Sequence, residues 1–188
     1  AGHAVVSYKV WHAPSYITIV ARGNHGGYMQ YEKEDMPMST RTQLLDQIKI
    51  CLGGRAAELL YYKEDGLTTG VSDDLKQATE IAKAMVCKYG MDEEMGLIAL
   101  SKEDLKNPVI AEKIYTKVKN ILAEQLEETK KILESSKTVI DAMKQSLLDK
   151  NQLDAMEIED IVLENDSLDG DEIQNEKEGN GGYCSTSL

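Results

Sequence analysis

A 3.6-residue apolar rhythm runs through most of this chain, and it admits little besides helices. It is clearest from Leu44 onward, where Leu44, Leu45, Ile48, Cys51, Leu52, Ala56, Leu59 and Leu60 mark one face of an amphipathic helix. Thr40 and Gln43 precede that stripe in capping-box order. Gly53 and Gly54 interrupt its middle, at roughly 1 kcal/mol each against alanine. Close approach of another backbone is the expected offset.

The rhythm recurs three times. Leu75, Ala78, Ile81, Ala82, Met85 and Tyr89 form a second stripe, with Ser72 expected as N-cap and Gly90 as C-terminal cap. Asn107-Pro108 opens a third long helix carrying Ile110, Ile114, Val118, Ile121, Leu122, Leu126 and Leu133, with proline at the first helical position. Ser135-Ser136 is an expected break. Val139 to Leu148 continues on a following helix, and Asp154-x-x-Glu157 caps a short last helix ending near Val162.

Two short stretches read differently. Tyr16–Val20 is β-branched and aromatic, and Tyr28–Tyr31 follows a glycine-rich turn at residues 22–27, which together predict a hairpin. Ala4, Val5, Tyr8 and Trp11 suggest that the chain opens on the end of a helix. The expected fold is mainly α with a small β-hairpin or sheet near the N-terminus and a helical bundle after it. Residues 1–162 form the expected domain. Residues 163–188, rich in Glu, Asp, Asn, Gly and Ser, read as a disordered acidic tail.

Charge and cysteine usage exclude some classes. A net charge of −12 argues against nucleic acid and against docking on an anionic membrane surface. No stretch reaches the length of a membrane span. Cys51, Cys87 and Cys184 are widely spaced and suit a reducing compartment rather than a disulfide framework. The first residue is not Met, so the chain reads as a processed product or a fragment.

Three segments carry possible chemistry. Ala1-Gly2-His3-Ala4-Val5-Val6 has the form of the end of an H-E-x-x-H motif, in which two histidines one turn apart bind zinc and the glutamate is the general base. On that reading the first histidine and the glutamate would stand before Ala1. Thr68 to Thr79 contains Asp73 and Asp74 at a helix start, where a carboxylate can serve as a ligand or simply complement the helix dipole. Leu52 to Glu58 holds the twin glycines, with Arg55 and Glu58 readable as surface charges. His12 and His25 read as surface residues.

Taken in order, these segments resemble the peptidase domain of the FtsH family, the AAA+ ATP-dependent zinc metalloproteases. The family carries H-E-A-G-H-A, a hairpin ending in a G-Y-x-x-Q-like stretch, G-G-R-A-A-E, T-T-G-A-S-N-D-L-x-x-A-T and Y-G-M. This chain has Ala1–Val6, Gly27-Tyr28-Met29-Gln30, Gly53–Glu58, Thr68–Thr79 and Tyr89-Gly90-Met91. The resemblance runs from Ala1 to about Val162.

The resemblance implies a zinc endopeptidase with His3 and Asp74 as metal ligands, while Asp73 stands where the family often has Asn. It implies that Tyr28, Met29, Gln30 and Tyr31 form a strand edge receiving an extended polypeptide substrate by β-augmentation. No catalytic residue is expected in this chain, since the general-base glutamate would precede Ala1, and the polypeptide as given is expected to be inactive. ATP and Mg2+ would act only through an ATPase module, and no G-x-x-x-x-G-K-[ST] occurs here. The implied partners are polypeptide substrates, the protein's own ATPase domain and like subunits in a homo-oligomer, with a hexamer expected. No nucleic acid and no direct membrane contact by this segment are expected. The implied location is the cytoplasmic face of a bacterial inner membrane, or an organelle membrane. The alternative is a degenerate protease-fold module serving interaction or oligomerisation without catalysis.

Overall fold

The structure is a computed structural model that describes residues 1–20, 27–31 and 38–178, with side chains described as far as Asp166. The expected turn at residues 22–27 therefore lies, apart from Gly27, outside the described residues, as do His25 and Cys184.

Helix α1 (Gly2–Val10) is short and enclosed on most sides, burying Ala4, Val5, Val6 and Ser7. Strands β1 (Tyr16–Thr18) and β2 (Tyr28–Gln30) then pair antiparallel, with Ile17 opposite Met29. Both are shorter than the stretches expected to form them, although β1 hydrogen-bonds one residue further on its other side, where the backbone N–H of Ile19 donates to the carbonyl of Asn151 at 3.0 Å.

The long helices follow the apolar rhythm. Helix α2 (Arg41–Tyr62) starts on the expected capping box: Gln43 N–H donates to Thr40 Oγ1 at 3.2 Å, and Thr40 N–H donates to Gln43 Oε1 at 2.8 Å. Helix α3 (Ser72–Cys87) is followed by Gly90 at φ +61°, where the chain turns and Met91 N–H reaches back to the carbonyl of Met85 at 3.0 Å. Helix α4 (Pro108–Glu134) is capped by the Asn107 side chain, which accepts from Val109 N–H at 3.0 Å. The chain breaks at Ser135-Ser136 and continues as helix α5 (Lys137–Lys150).

Three expectations need correction. Ser72 is not an N-cap but the first residue of α3. The preceding position is Val71, and a 3₁₀ turn over Thr69–Val71 leads into the helix with Thr68 as its side-chain cap. A third strand, β3 (Gln152–Asp154), was not foreseen. It pairs antiparallel with β1, giving the sheet order β2-β1-β3. Three residues with one apolar position, Leu153, hold too little pattern to read as a strand. Finally, helix α6 (Ala155–Glu178) runs well past Val162. Its start is the expected one, with Glu157 N–H donating to Asp154 Oδ1 at 2.9 Å and Asp154 N–H to Glu157 Oε2 at 3.0 Å. Val162 is nonetheless the last buried side chain among the described residues. The apolar rhythm marks the end of packing, whereas helix geometry continues beyond it. Residues 179–188 of the expected tail lie outside the described residues.

Two apolar cores result. One gathers Ala4, Val5 and Val6 of α1, Ile17 of β1, Leu133, and the inner faces of α5, β3 and α6. The other lies between α2, α3 and α4, around Ile48, Leu52, Ala82, Met85 and Val118. Helix α2 is a wall of both: Ala56 faces the first, and Leu44, Ile48, Cys51 and Leu52 face the second. Among the described residues no helix is long and apolar enough to cross a membrane.

Candidate metal centre

Helices α1, α2 and α3 come together at the twin glycines. The backbones of α1 and α2 cross there so closely that a Cβ on Gly53 would lie 3.0 Å from Cα of His3, and one on Gly2 would lie 2.6 Å from the carbonyl oxygen of Gly53. The space a side chain at Gly54 would fill is taken by the His3 ring and by Val71, whose Cγ1 would lie 3.4 Å from that Cβ. The glycines thus bring in the His3 helix from one side and the start of α3 from the other. This is the close backbone approach expected from their position in the sequence.

His3 and Asp74 project from separate helices into this junction. Nε2 of His3 and Oδ2 of Asp74 are 3.0 Å apart, with side chains 36% and 35% exposed. Both face an open cleft that is also lined by Trp11, Tyr28, Met29 and Tyr31. Of the four expected substrate-contact residues, Tyr28, Met29 and Tyr31 line the cleft. Gln30 does not: it is exposed, and its carbonyl accepts from the Ser15 backbone N–H at 2.9 Å and from Ser15 Oγ at 3.2 Å. Among the described residues β2 has a strand neighbour on one side only, which leaves an edge for pairing.

Asp73 lines the same cleft but is exposed and is not the residue paired with His3. His12, expected at the surface, is exposed and also borders the cleft. Cys51 reaches it from α2, and burial, with the Asp74 carboxylate adding to it, pushes its thiol up to about 11.

The chemistry of the donors suits zinc, since an imidazole nitrogen and a carboxylate oxygen are both ordinary zinc ligands. They are two donors. Among the described residues no group of three or more His, Cys, Asp or Glu side chains converges.

Residue types alone read Arg55 and Glu58 as surface charges, and the structure corrects this. They form a largely buried ion pair of 3.1 Å on α2, with side chains 17% and 16% exposed. Together they hold the loop that leads to α3. Arg55 Nη2 donates to the Thr68 carbonyl at 3.2 Å, and Glu58 accepts from both the backbone N–H and the hydroxyl of Thr68. The Thr68 hydroxyl oxygen in turn accepts from Gly70 N–H at 3.2 Å. One helix therefore carries both the seat of the His3 ring and the clamp on the approach to Asp74. An Arg-x-x-Glu pair is a weak sequence signal, and nothing in the spacing to Thr68 announces its partner.

Residues 1–161 match the model of "Peptidase family M41". The chain is 34% identical over 174 residues to the ATP-dependent zinc metalloprotease FtsH of Thermus thermophilus, covering 86% of this chain and 28% of that protein. It is 40% identical over 167 residues to the ATP-dependent zinc metalloprotease FtsH 3 of Phytoplasma mali, covering 87% and 26%. It is 36% identical over 172 residues to the ATP-dependent zinc metalloprotease YME1L1 of Homo sapiens, covering 90% and 22%. The chain thus spans about a quarter of the length of these relatives. With His3 and Asp74 facing each other across the Gly53-Gly54 crossing, and with residues 1–161 matched by the family's model, the chain belongs to peptidase family M41.

Proposed function

We propose that this chain is the zinc-peptidase portion of an ATP-dependent protease that degrades unfolded or misassembled polypeptides. The observation that carries the reading is the 3.0 Å approach of His3 Nε2 and Asp74 Oδ2, from separate helices, at the floor of a cleft bordered by an edge strand. His3 and Asp74 would hold the zinc. The first histidine and the glutamate base of the H-E-x-x-H motif are assigned to positions ahead of Ala1 in the full-length protein. Bound zinc would supply Lewis acidity towards the peptide carbonyl and a water of lowered pKa.

The chain's own residues do the rest. The open edge of β2 takes an extended polypeptide by main-chain hydrogen bonds, with Tyr28, Met29 and Tyr31 against its side chains. Arg55 and Glu58 fix the Thr68 loop, so that Asp74 meets His3 without reorganisation on metal binding. The full-length protein is read as anchored in a membrane, on the cytoplasmic face of a bacterial inner membrane or in an organelle. There, like subunits assemble as a ring, and a separate ATPase module using ATP and Mg2+ feeds the cleft. The polypeptide Ala1–Leu188 alone, with two donors and no base, binds zinc weakly and does not cleave.

The test is metal analysis and casein degradation by the full-length protein with ATP. Wild type carries zinc and degrades casein. Chelation stops degradation and added zinc restores it. His3→Ala and Asp74→Ala lose both zinc and proteolysis while ATP hydrolysis persists. Full zinc content and casein cleavage in His3→Ala would overturn the reading.

A further inference from the structure

Asp73 and Asp74 are consecutive in the first turn of α3, so their side chains leave the helix about 100° apart. Asp74 turns towards His3 and is engaged at 3.0 Å. Asp73 is exposed, lines the same cleft beside Thr69, Gly70 and Gln77, and makes no hydrogen bond or ion pair among the described residues. The described residues lining that cleft include no Lys or Arg. A metal held by His3 and Asp74 would draw on the Asp74 charge and leave that of Asp73 uncommitted.

We propose that Asp73 is a specificity-determining residue, which makes the cleft prefer a basic side chain over an acidic one next to the scissile bond of a bound polypeptide. The inference rests on the peptidase reading above and names the substrate class that reading leaves open. A polypeptide paired with the edge of β2 crosses the cleft towards the first turn of α3, and its side chains alternate about the extended backbone. One set faces the Asp73 carboxylate. A cation there gains a Coulomb attraction and an anion meets repulsion. Since Asp73 is exposed, each effect is worth a few-fold in rate rather than orders of magnitude, and salt screens it.

The experiment uses the full-length protein and three fluorogenic peptides that differ only in carrying Lys, Gln or Glu beside the cleaved bond. The readout is the ratio of kcat/KM for the Lys peptide to that for the Glu peptide, measured at low and high salt. Wild type favours Lys over Glu. Asp73→Asn lowers the ratio by about threefold, Asp73→Lys lowers it further, and 0.5 M KCl brings the three proteins together. Zinc content, measured alongside, stays the same in all three. A ratio that is unchanged in both variants, with cleavage intact, overturns the inference and leaves the peptidase reading standing. Failure of wild type to cleave any of the three peptides overturns the peptidase reading, and this inference with it.

Discussion

The ring of His3 occupies the space that a side chain at Gly54 would need: a Cβ there would lie 2.6 Å from Cε1 and 3.1 Å from Nε2 of the imidazole. Gly54 is thus as much a part of the candidate metal centre as the histidine it admits. Gly54→Ala should swing the imidazole off its line to Asp74 while leaving the fold in place, because the obstructing atom is the end of a side chain. Zinc affinity of the full-length protein is expected to fall at least tenfold with little change in Tm, read by metal titration and thermal melting of the same samples. Gly53→Ala behaves differently. Its Cβ meets the His3 backbone at 3.0 Å, so two helices must part, at about 1–3 kcal/mol of stability.

The clamp on Thr68 gives a second prediction. Glu58→Gln keeps the size of the side chain but removes the charge that pairs with Arg55 and accepts twice from Thr68. The pair is largely buried, so an unpaired guanidinium remains and the cost should be about 1–3 kcal/mol. The start of α3 loosens with it. Cobalt substituted for zinc reports the change directly: its visible spectrum should weaken or shift in Glu58→Gln. An unaltered cobalt spectrum and affinity would mean that the clamp does not position Asp74.

Lys63 ends α2 at φ 57°, ψ −161°, a region that is essentially reserved for glycine. The residue lies outside the cleft lining. Lys63→Gly should therefore stabilise the protein by about 1 kcal/mol, after allowing for the entropy of the added glycine, and should leave metal binding untouched. Urea unfolding checks the first part and metal titration the second.

Burial holds the Cys51 thiol at about 11 against an ordinary value of 9.0. The raised value favours the neutral thiol in the folded state. Its contribution to stability is therefore complete below pH 9 and is lost as the pH rises from 9 towards 11, where the unfolded thiol ionises first. At pH 8 the thiolate fraction of folded Cys51 is about a hundredfold below that of the unfolded chain, so iodoacetamide should label it correspondingly slowly until urea opens the structure. Peptide mapping after timed labelling distinguishes Cys51 from Cys87, which is half-buried and less protected.

The long helices were legible because each carries its signal locally. The Thr40–Gln43 box, the Asn107-Pro108 start and the Asp154–Glu157 pair act within a few residues of one another. The meeting of His3 with Asp74, 71 residues apart, was legible only through the family pattern, since spacing alone left Asp73 and Asp74 as helix-dipole partners. Strand β3 was hidden because its partner β1 lies more than 130 residues away and three residues show no alternation. The Arg55–Glu58 clamp was hidden because partial burial, not residue type, separates it from a solvent-exposed pair. Ser72 misled because the 3₁₀ turn before it already carries the chain into helical geometry, and the capping duty falls to Thr68.

The core that covers α1 is built from the last third of the chain: Leu133, Val139, Met143, Leu147, Leu153, Ile158 and Val162 close over Ala4, Val5 and Val6. During synthesis α1 can meet α2 once that helix is made, but the rest of its cover waits for about 100 further residues. Only when α6 arrives is the core around Ala4, Val5 and Val6 complete. A truncation before Lys137 should therefore leave α1 held by α2 but without most of that cover.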